Sequence, residues 1–222
     1  MPIQLQSTSG LMSVGNYVLC YGTSGAGKTA LIATAPNPVV FDAEKGLKTL
    51  RRFNIPFVEI TSTNSLLEAY RWLSSAEARQ FQTVALDSLS EICELCLVEE
   101  MKKTTNGQKA YGEMAKKMIE IIRAFKSLKD KNVYFTCKEE RIKDNGNLLF
   151  APFVPGDKFG QAVPYQFDEI WRLVVQKDPV SGADIRYVRT QADFQSVAKS
   201  RSQLDPLENA NLSAIFAKAA GA

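Results

Sequence analysis

Directly behind the apolar run Tyr17 to Tyr21 stands the stretch GTSGAGKTAL, Gly22 to Leu31, with the spacing G-x-x-x-x-G-K-T. That spacing suits a loop that holds a nucleoside triphosphate. Gly22 and Gly27 can take backbone angles closed to other residues, so the N–H groups of Gly22, Thr23, Ser24, Gly25, Ala26 and Gly27 can curl around an anion. Lys28 then reaches the β and γ phosphates, and Thr29 offers its hydroxyl to a magnesium ion. The helix that begins with Lys28, Thr29 and Ala30 adds its N-terminal dipole. The ligands so implied are ATP and Mg2+. A chance glycine turn is the alternative, and the strand before the loop and the helix-compatible residues Ala30 to Ala33 after it oppose that.

Two more segments bear carboxylates where such a loop needs them. TVALDSLS is an apolar strand ending in Asp87, placed to hold a magnesium-bound water, or else to cap the next helix. PVVFDAEKGLKTL ends a second buried strand with Asp42 and Glu44. In a parallel sheet the C-terminal edge is where ligands sit, and Glu44 there can polarise the water that attacks a γ-phosphate.

The elements that must position these groups alternate along the chain. Strands are expected at Tyr17 to Tyr21, Val39 to Phe41, Thr83 to Leu86 and Val133 to Thr136, a short apolar piece at Pro56 to Ile60, and a hairpin at Ile170 to Val175 and Ile185 to Thr190. Helices are expected from the P-loop through Thr34, then at Gly46 to Arg52, Ser88 to Lys102, Tyr111 to Leu128 and Leu212 to Ala219. One more carries Leu66, Tyr70 and Leu73, with Ser65 and Glu68 as a capping box. The fold class is therefore α/β, a mostly parallel central sheet flanked by helices with a C-terminal β-hairpin. Without repeats or a linker, the 222 residues read as one domain.

Composition narrows the chemistry. The chain has no histidine, which excludes a Ser-His-Asp triad and any histidine metal site. Cys20, Cys93, Cys96 and Cys137 fall on apolar faces or in strands and read as buried thiols. A net charge of +3 leaves any attraction to nucleic acid to local loops. With no apolar run of spanning length and no leader-like N-terminus, the expectation is a soluble cytoplasmic protein, away from membranes.

In the order P-loop, VFDAEKGL, VALDSLS, NVYFTCKEER, the sequence resembles the RecA-type recombinase core, from about Val14 to Arg201. It looks most like the minimal phage-encoded RecA-core proteins that anneal single-stranded DNA. The resemblance implies a RecA-like P-loop NTPase fold with Val133 to Thr136 between the P-loop strand and the Asp87 strand. It implies Glu44 as the water-activating carboxylate and Arg51 as the residue stacked on adenine. Where the family places an amide to sense the γ-phosphate, this chain has Cys137 and Lys138; either the lysine senses it directly or the switch is wired differently.

Two loops of the RecA-type core contact DNA. The first corresponds to Glu100 to Tyr111, with Lys102, Lys103, Lys109 and a turn at Asn106 and Gly107. The second corresponds to Arg141 to Pro164, where Arg141, Lys143 and Lys158 interleave with Phe150, Phe153 and Phe159. Cations for phosphates and aromatic faces for bases suit sequence-tolerant single-strand binding, the alternative being a hairpin at Leu148 to Phe153 that packs on the body. Lys199 and Arg201, two apart, would share one face of a strand and correspond to the basic pair that reaches a neighbouring subunit's nucleotide, unless they are a solvated strand end. The resemblance thus implies an ATP-hydrolysing single-stranded DNA-binding protein that anneals or pairs strands, assembled as a ring or filament, with a single-strand-binding protein as a possible partner. A RecA-like regulatory ATPase acting on a protein, or a P-loop kinase, stays open.

Overall fold

Tyr17–Tyr21 and the largely apolar Thr83–Asp87 are buried at every position and so on both faces, which is the signature of strands inside a parallel sheet covered by helices. The computed structural model describes residues 15–128, 130–144 and 146–221. Its elements are β1 (Tyr17–Tyr21), α1 (Lys28–Leu31), β2 (Pro38–Asp42), β3 (Phe57–Glu59), α2 (Thr63–Trp72), β4 (Thr83–Asp87), α3 (Leu89–Met101) and α4 (Gly107–Lys126). There follow β5 (Asn132–Asp144), β6 (Asn147–Phe153), α5 (Asp157–Ala162), β7 (Glu169–Lys177), β8 (Asp184–Arg189), β9 (Leu207–Asn209) and α6 (Leu212–Ala219).

The sheet runs β3-β2-β4-β5-β1-β7-β8-β9, with β6 paired to the outer part of β5. The pairs from β3 to β7 are parallel, and β7–β8, β8–β9 and β5–β6 are antiparallel. β5 lies between the P-loop strand β1 and the Asp87 strand β4, as the family resemblance implies. Successive side chains of each strand go to opposite faces. Tyr17, Leu19 and Tyr21 of β1 join a core under α2, α3 and α4, whereas Val18 and Cys20 join a second core under α1 and α6. All four cysteines are free and buried.

Several expectations are corrected. The cap of α2 is Ser62 and not Ser65. Ser62 Oγ accepts from Ser65 N at 3.0 Å and Ser65 Oγ accepts from Ser62 N at 3.1 Å, a reciprocal pair of serines, while Glu68 takes Asn64 Nδ2 at 2.8 Å. The turn expected at Asn106 and Gly107 is the start of α4, because Asn106 Oδ1 accepts Lys109 N at 3.1 Å and caps it. The helix after the P-loop tightens to 3-10 geometry at Ile32–Thr34, and Leu47–Phe53 is 3-10 throughout. The presumed long loop from Arg141 to Pro164 is a β-arm followed by α5: β5 continues past Thr136 to Asp144 and returns as β6, with Arg141 opposite Phe150 and Lys143 opposite Leu148. Lys199 and Arg201 lie on an extended segment and not on a regular strand; its ties to the sheet are the isolated bridges Phe150–Ser196 and Ile170–Lys199. Among the described residues no helix is long and apolar enough to cross a membrane.

Candidate nucleotide site

The P-loop leaves β1 at its C-terminal end and is shaped by glycines where nothing else fits. Gly25 and Gly27 have φ of +78° and +104°. A Cβ on Gly22 would stand 2.9 Å from the carbonyl oxygen of Leu173 on β7. Lys28 folds back over the loop, its Nζ donating to Gly22 O at 2.8 Å and Thr23 O at 3.1 Å. These neutral carbonyls hold the ammonium at the loop until a better acceptor, such as a phosphate, replaces them.

Next to it, Thr29 Oγ1 donates to Asp87 Oδ2 at 2.8 Å, and the Thr136 hydroxyl on β5 donates to Asp87 Oδ1. Burial raises the Asp87 pKa above the ordinary carboxylate value; the two hydroxyls and Lys28 oppose that rise, and Asp42 adds to it. The end of β2 is tied to the end of β4, since Ala43 N and Glu44 N donate to the Asp87 carbonyl at 2.7 and 3.0 Å. Asp42 is spent on structure: its Oδ1 accepts Lys45 N at 2.8 Å, and burial raises its pKa too. Glu44 is exposed one turn of chain beyond, and among the described residues no hydrogen bond occupies its carboxylate. Arg51 is exposed in the last turn of the 3-10 helix.

The donors fit a hard cation. The Thr29 hydroxyl and the Asp87 carboxylate touch each other at the foot of the P-loop, an all-oxygen pair of the kind Mg2+ takes with phosphates and waters completing its shell. Two residues at this site have no counterpart in the sequence reading: Thr136, read only as the end of a strand, whose hydroxyl holds Asp87, and Arg186 of β8, whose Nε donates to Ala26 O at 2.9 Å.

Other expected residues lie elsewhere. Lys138 does not face the phosphates; its Nζ pairs with Glu91 at 2.5 Å and Glu94 at 3.1 Å on α3. Lys199 and Arg201 sit by the N-terminal end of β7, the sheet edge opposite the P-loop, because Ile170 and Asp168 are their partners. Lys199 Nζ donates to Pro164 O at 2.9 Å and Phe167 O at 2.6 Å, and burial lowers its pKa. Arg201 pairs with Asp168 at 2.6 Å and stays 60% exposed.

The stacking roles expected of Phe150 and Phe153 meet an obstacle. The Phe150 ring carries the Arg172 guanidinium 3.6 Å from its centroid. Arg172 is itself held by Glu139 at 2.8 Å and Ser196 at 3.0 Å. Both rings are partly buried, and the Phe153 carbonyl accepts Ser90 Oγ at 2.7 Å. Phe159 is buried in the core. Lys103 pairs with Glu100 at 2.7 Å, a carboxylate that Lys117 shares. Lys102, Lys109, Arg141, Lys143 and Lys158 remain exposed. The two expected DNA segments do meet: a Cβ on Gly156, just before α5, would lie 3.1 Å from the Tyr111 ring near the start of α4.

A P-loop strand parted from the Asp87 strand by one strand, with Thr29 and Asp87 joined at the sheet's C-terminal edge, defines a P-loop NTPase fold. The profile of the AAA_24 family, an AAA domain, matches residues 15–202, and the chain belongs to that family. No curated protein matches it. Among solved structures, a KaiC-like protein from the hyperthermophilic archaeon Pyrococcus horikoshii OT3 is similar at 18% identity over 79% of this chain and 77% of that one, with a TM-score of 0.45.

Proposed function

We propose that the protein hydrolyses ATP with Mg2+ and couples this to binding single-stranded DNA, annealing or pairing strands in phage-type homologous recombination. The observation that carries the hydrolytic part is the junction of β2 and β4. The Asp87 carbonyl holds the amide of Glu44, so the backbone of Glu44 is tied to the same sheet edge as the Lys28–Thr29–Asp87 group while its carboxylate stays exposed.

In this reading Lys28 exchanges two carbonyls for the β and γ phosphates, and Thr29 and Asp87 hold the metal, Asp87 through a water. Mg2+, when bound, neutralises charge on the phosphate oxygens. Glu44 orients and polarises the attacking water. Arg51 flanks the base, and Arg201 of a neighbouring chain in a ring or filament stabilises charge on the γ-phosphate. The DNA part rests on the exposed cations Arg141 and Lys143 of the β5–β6 arm, with Lys109 and Lys158 two residues from the Tyr111–Gly156 contact and Lys102 at the end of α3. A single-strand-binding protein is a natural partner for a protein that works on coated strands.

Glu44→Gln and Lys28→Ala separate the roles. Glu44→Gln is expected to bind ATP within about threefold of wild type and to lose about 10²-fold or more in kcat. Lys28→Ala is expected to lose the bound state itself. Equilibrium titration with ATP beside steady-state phosphate release reads both; normal turnover by Glu44→Gln would remove Glu44 from the mechanism.

A further inference from the structure

The β7–β8 hairpin touches the P-loop twice. Leu173 O backs onto Gly22, and Arg186 lies across Gly27: besides the 2.9 Å bond to Ala26 O, its Nε and Cδ stand 3.0 and 3.4 Å from where a Cβ on Gly27 would be. Ala26 C=O and Gly27 N–H belong to one peptide, planar and trans, so they point in opposite directions. A cation that holds the carbonyl therefore aims the Gly27 N–H away from itself. A charge-assisted bond at the oxygen also polarises the N–H at the other end of the same amide.

This orientation needs a holder. Gly27 sits at φ +104°, and glycine accepts both signs of φ at little steric cost, so the residue itself does not choose between the two faces of the peptide. On either side of this peptide the chain is tied by its neighbours, Ala26 N donating to Thr23 O at 3.2 Å and Leu31 N to Gly27 O at 2.9 Å, and among the described residues Arg186 is the side chain that holds the Ala26 carbonyl itself. Arg186 supplies the selection from a strand 160 positions away in sequence.

We propose that Arg186 is a positioning residue of the nucleotide site: by holding Ala26 O it presets the Gly27 N–H toward the β-phosphate of an incoming nucleotide. This rests on the reading of Gly22 to Thr29 as an ATP site.

The test compares Arg186→Met, which keeps the length of the side chain without its donor, with Arg186→Lys, which keeps a cationic donor. In protein labelled with 15N-glycine and free of nucleotide, the Gly27 amide resonance is expected to move in Arg186→Met and to return toward wild type in Arg186→Lys. The dissociation constants for ATP and ADP are expected to rise about tenfold or more in Arg186→Met, because a Gly27 N–H that is no longer preset loses its hydrogen bond to a charged phosphate, and to recover most of that in Arg186→Lys. Arg186→Met is expected to melt lower than wild type, by about 2–4 °C for each kcal/mol the lost bond contributed, with Arg186→Lys in between. Binding by Arg186→Met within twofold of wild type, or no better binding by Arg186→Lys than by Arg186→Met, overturns the proposal. If wild-type protein, folded by its melt, binds neither ATP nor ADP, the nucleotide reading itself has failed; the Gly27 resonance then still shows whether Arg186 sets the peptide.

Discussion

Asp87 shows how a residue can be costly to the fold and kept for the site. Its raised pKa means that the folded chain holds the proton more tightly than the unfolded chain, so the ionised carboxylate present at neutral pH costs stability. The sign fixes the window. The cost is complete above the raised folded value, shrinks as pH falls from there toward the ordinary value of 3.8, and is absent below it. Asp87→Asn is therefore expected to melt higher than wild type at neutral pH, by about 2–4 °C for each kcal/mol relieved in a chain of this length. The advantage should fade on acidification, and Mg2+-dependent hydrolysis should be lost. Melting curves across pH decide it: an advantage that grows toward acid pH would reverse the assignment. At this scale the sequence was legible where chemistry is local. The P-loop, Asp87 and Glu44 announce themselves by spacing and by their place at strand ends. Arg186 does not, because an arginine on a hairpin strand reads as a solvated charge until the fold brings it to Ala26. Lys138 misleads for the complementary reason: its position after the sensor strand matches, but Glu91 and Glu94 of α3 capture the side chain.

At the scale of elements, the buried strands and long helices follow from apolar runs and helical periodicity, and the misreadings gather where polar sequence hides regular structure. The arm is the main case. Arg141 to Pro164 reads as a DNA-contacting loop, with a packed hairpin at Leu148 to Phe153 as the alternative; the hairpin is what forms, starting from Lys138, and the signal for it is an Asn-Gly pair between two extended runs, with Gly146 at the left-handed φ of +84°. The arm changes the expectation for DNA. Phe150 is covered by Arg172, so Phe150→Leu is expected to lower the melting temperature, through a lost cation–π contact of about 0.5–2 kcal/mol, and to leave DNA affinity nearly unchanged. Arg141→Ala with Lys143→Ala is expected to do the opposite. Each lost phosphate contact removes about 0.7 from the slope of log affinity against log salt for single strands, so the double variant should flatten it by about 1.4 at unchanged melting temperature. Equal slopes for variant and wild type would place the DNA path elsewhere.

At the scale of the whole molecule, Lys199 and Arg201 lie at the sheet edge away from their own P-loop, so any role for them in hydrolysis must be played in a neighbour's site. Lys199 is half committed to the carbonyls of Pro164 and Phe167, which makes Arg201 the cleaner probe. Arg201→Ala is expected to bind ATP and fail to hydrolyse it, and mixing it with Lys28→Ala chains should restore turnover at interfaces that join a sound P-loop to a sound arginine. No recovery under conditions of demonstrated co-assembly would make Arg201 a surface partner of Asp168 and nothing more. The central claim is that ATP turnover answers to single-stranded DNA, and the most direct measurement is steady-state ATP hydrolysis with Mg2+, with and without an unstructured single strand, at low and high salt. The rate is expected to rise severalfold with the strand at low salt and to fall back as salt displaces it, with Glu44→Gln flat throughout. A wild-type rate that is Mg2+-dependent but indifferent to single-stranded DNA at every salt concentration would contradict it.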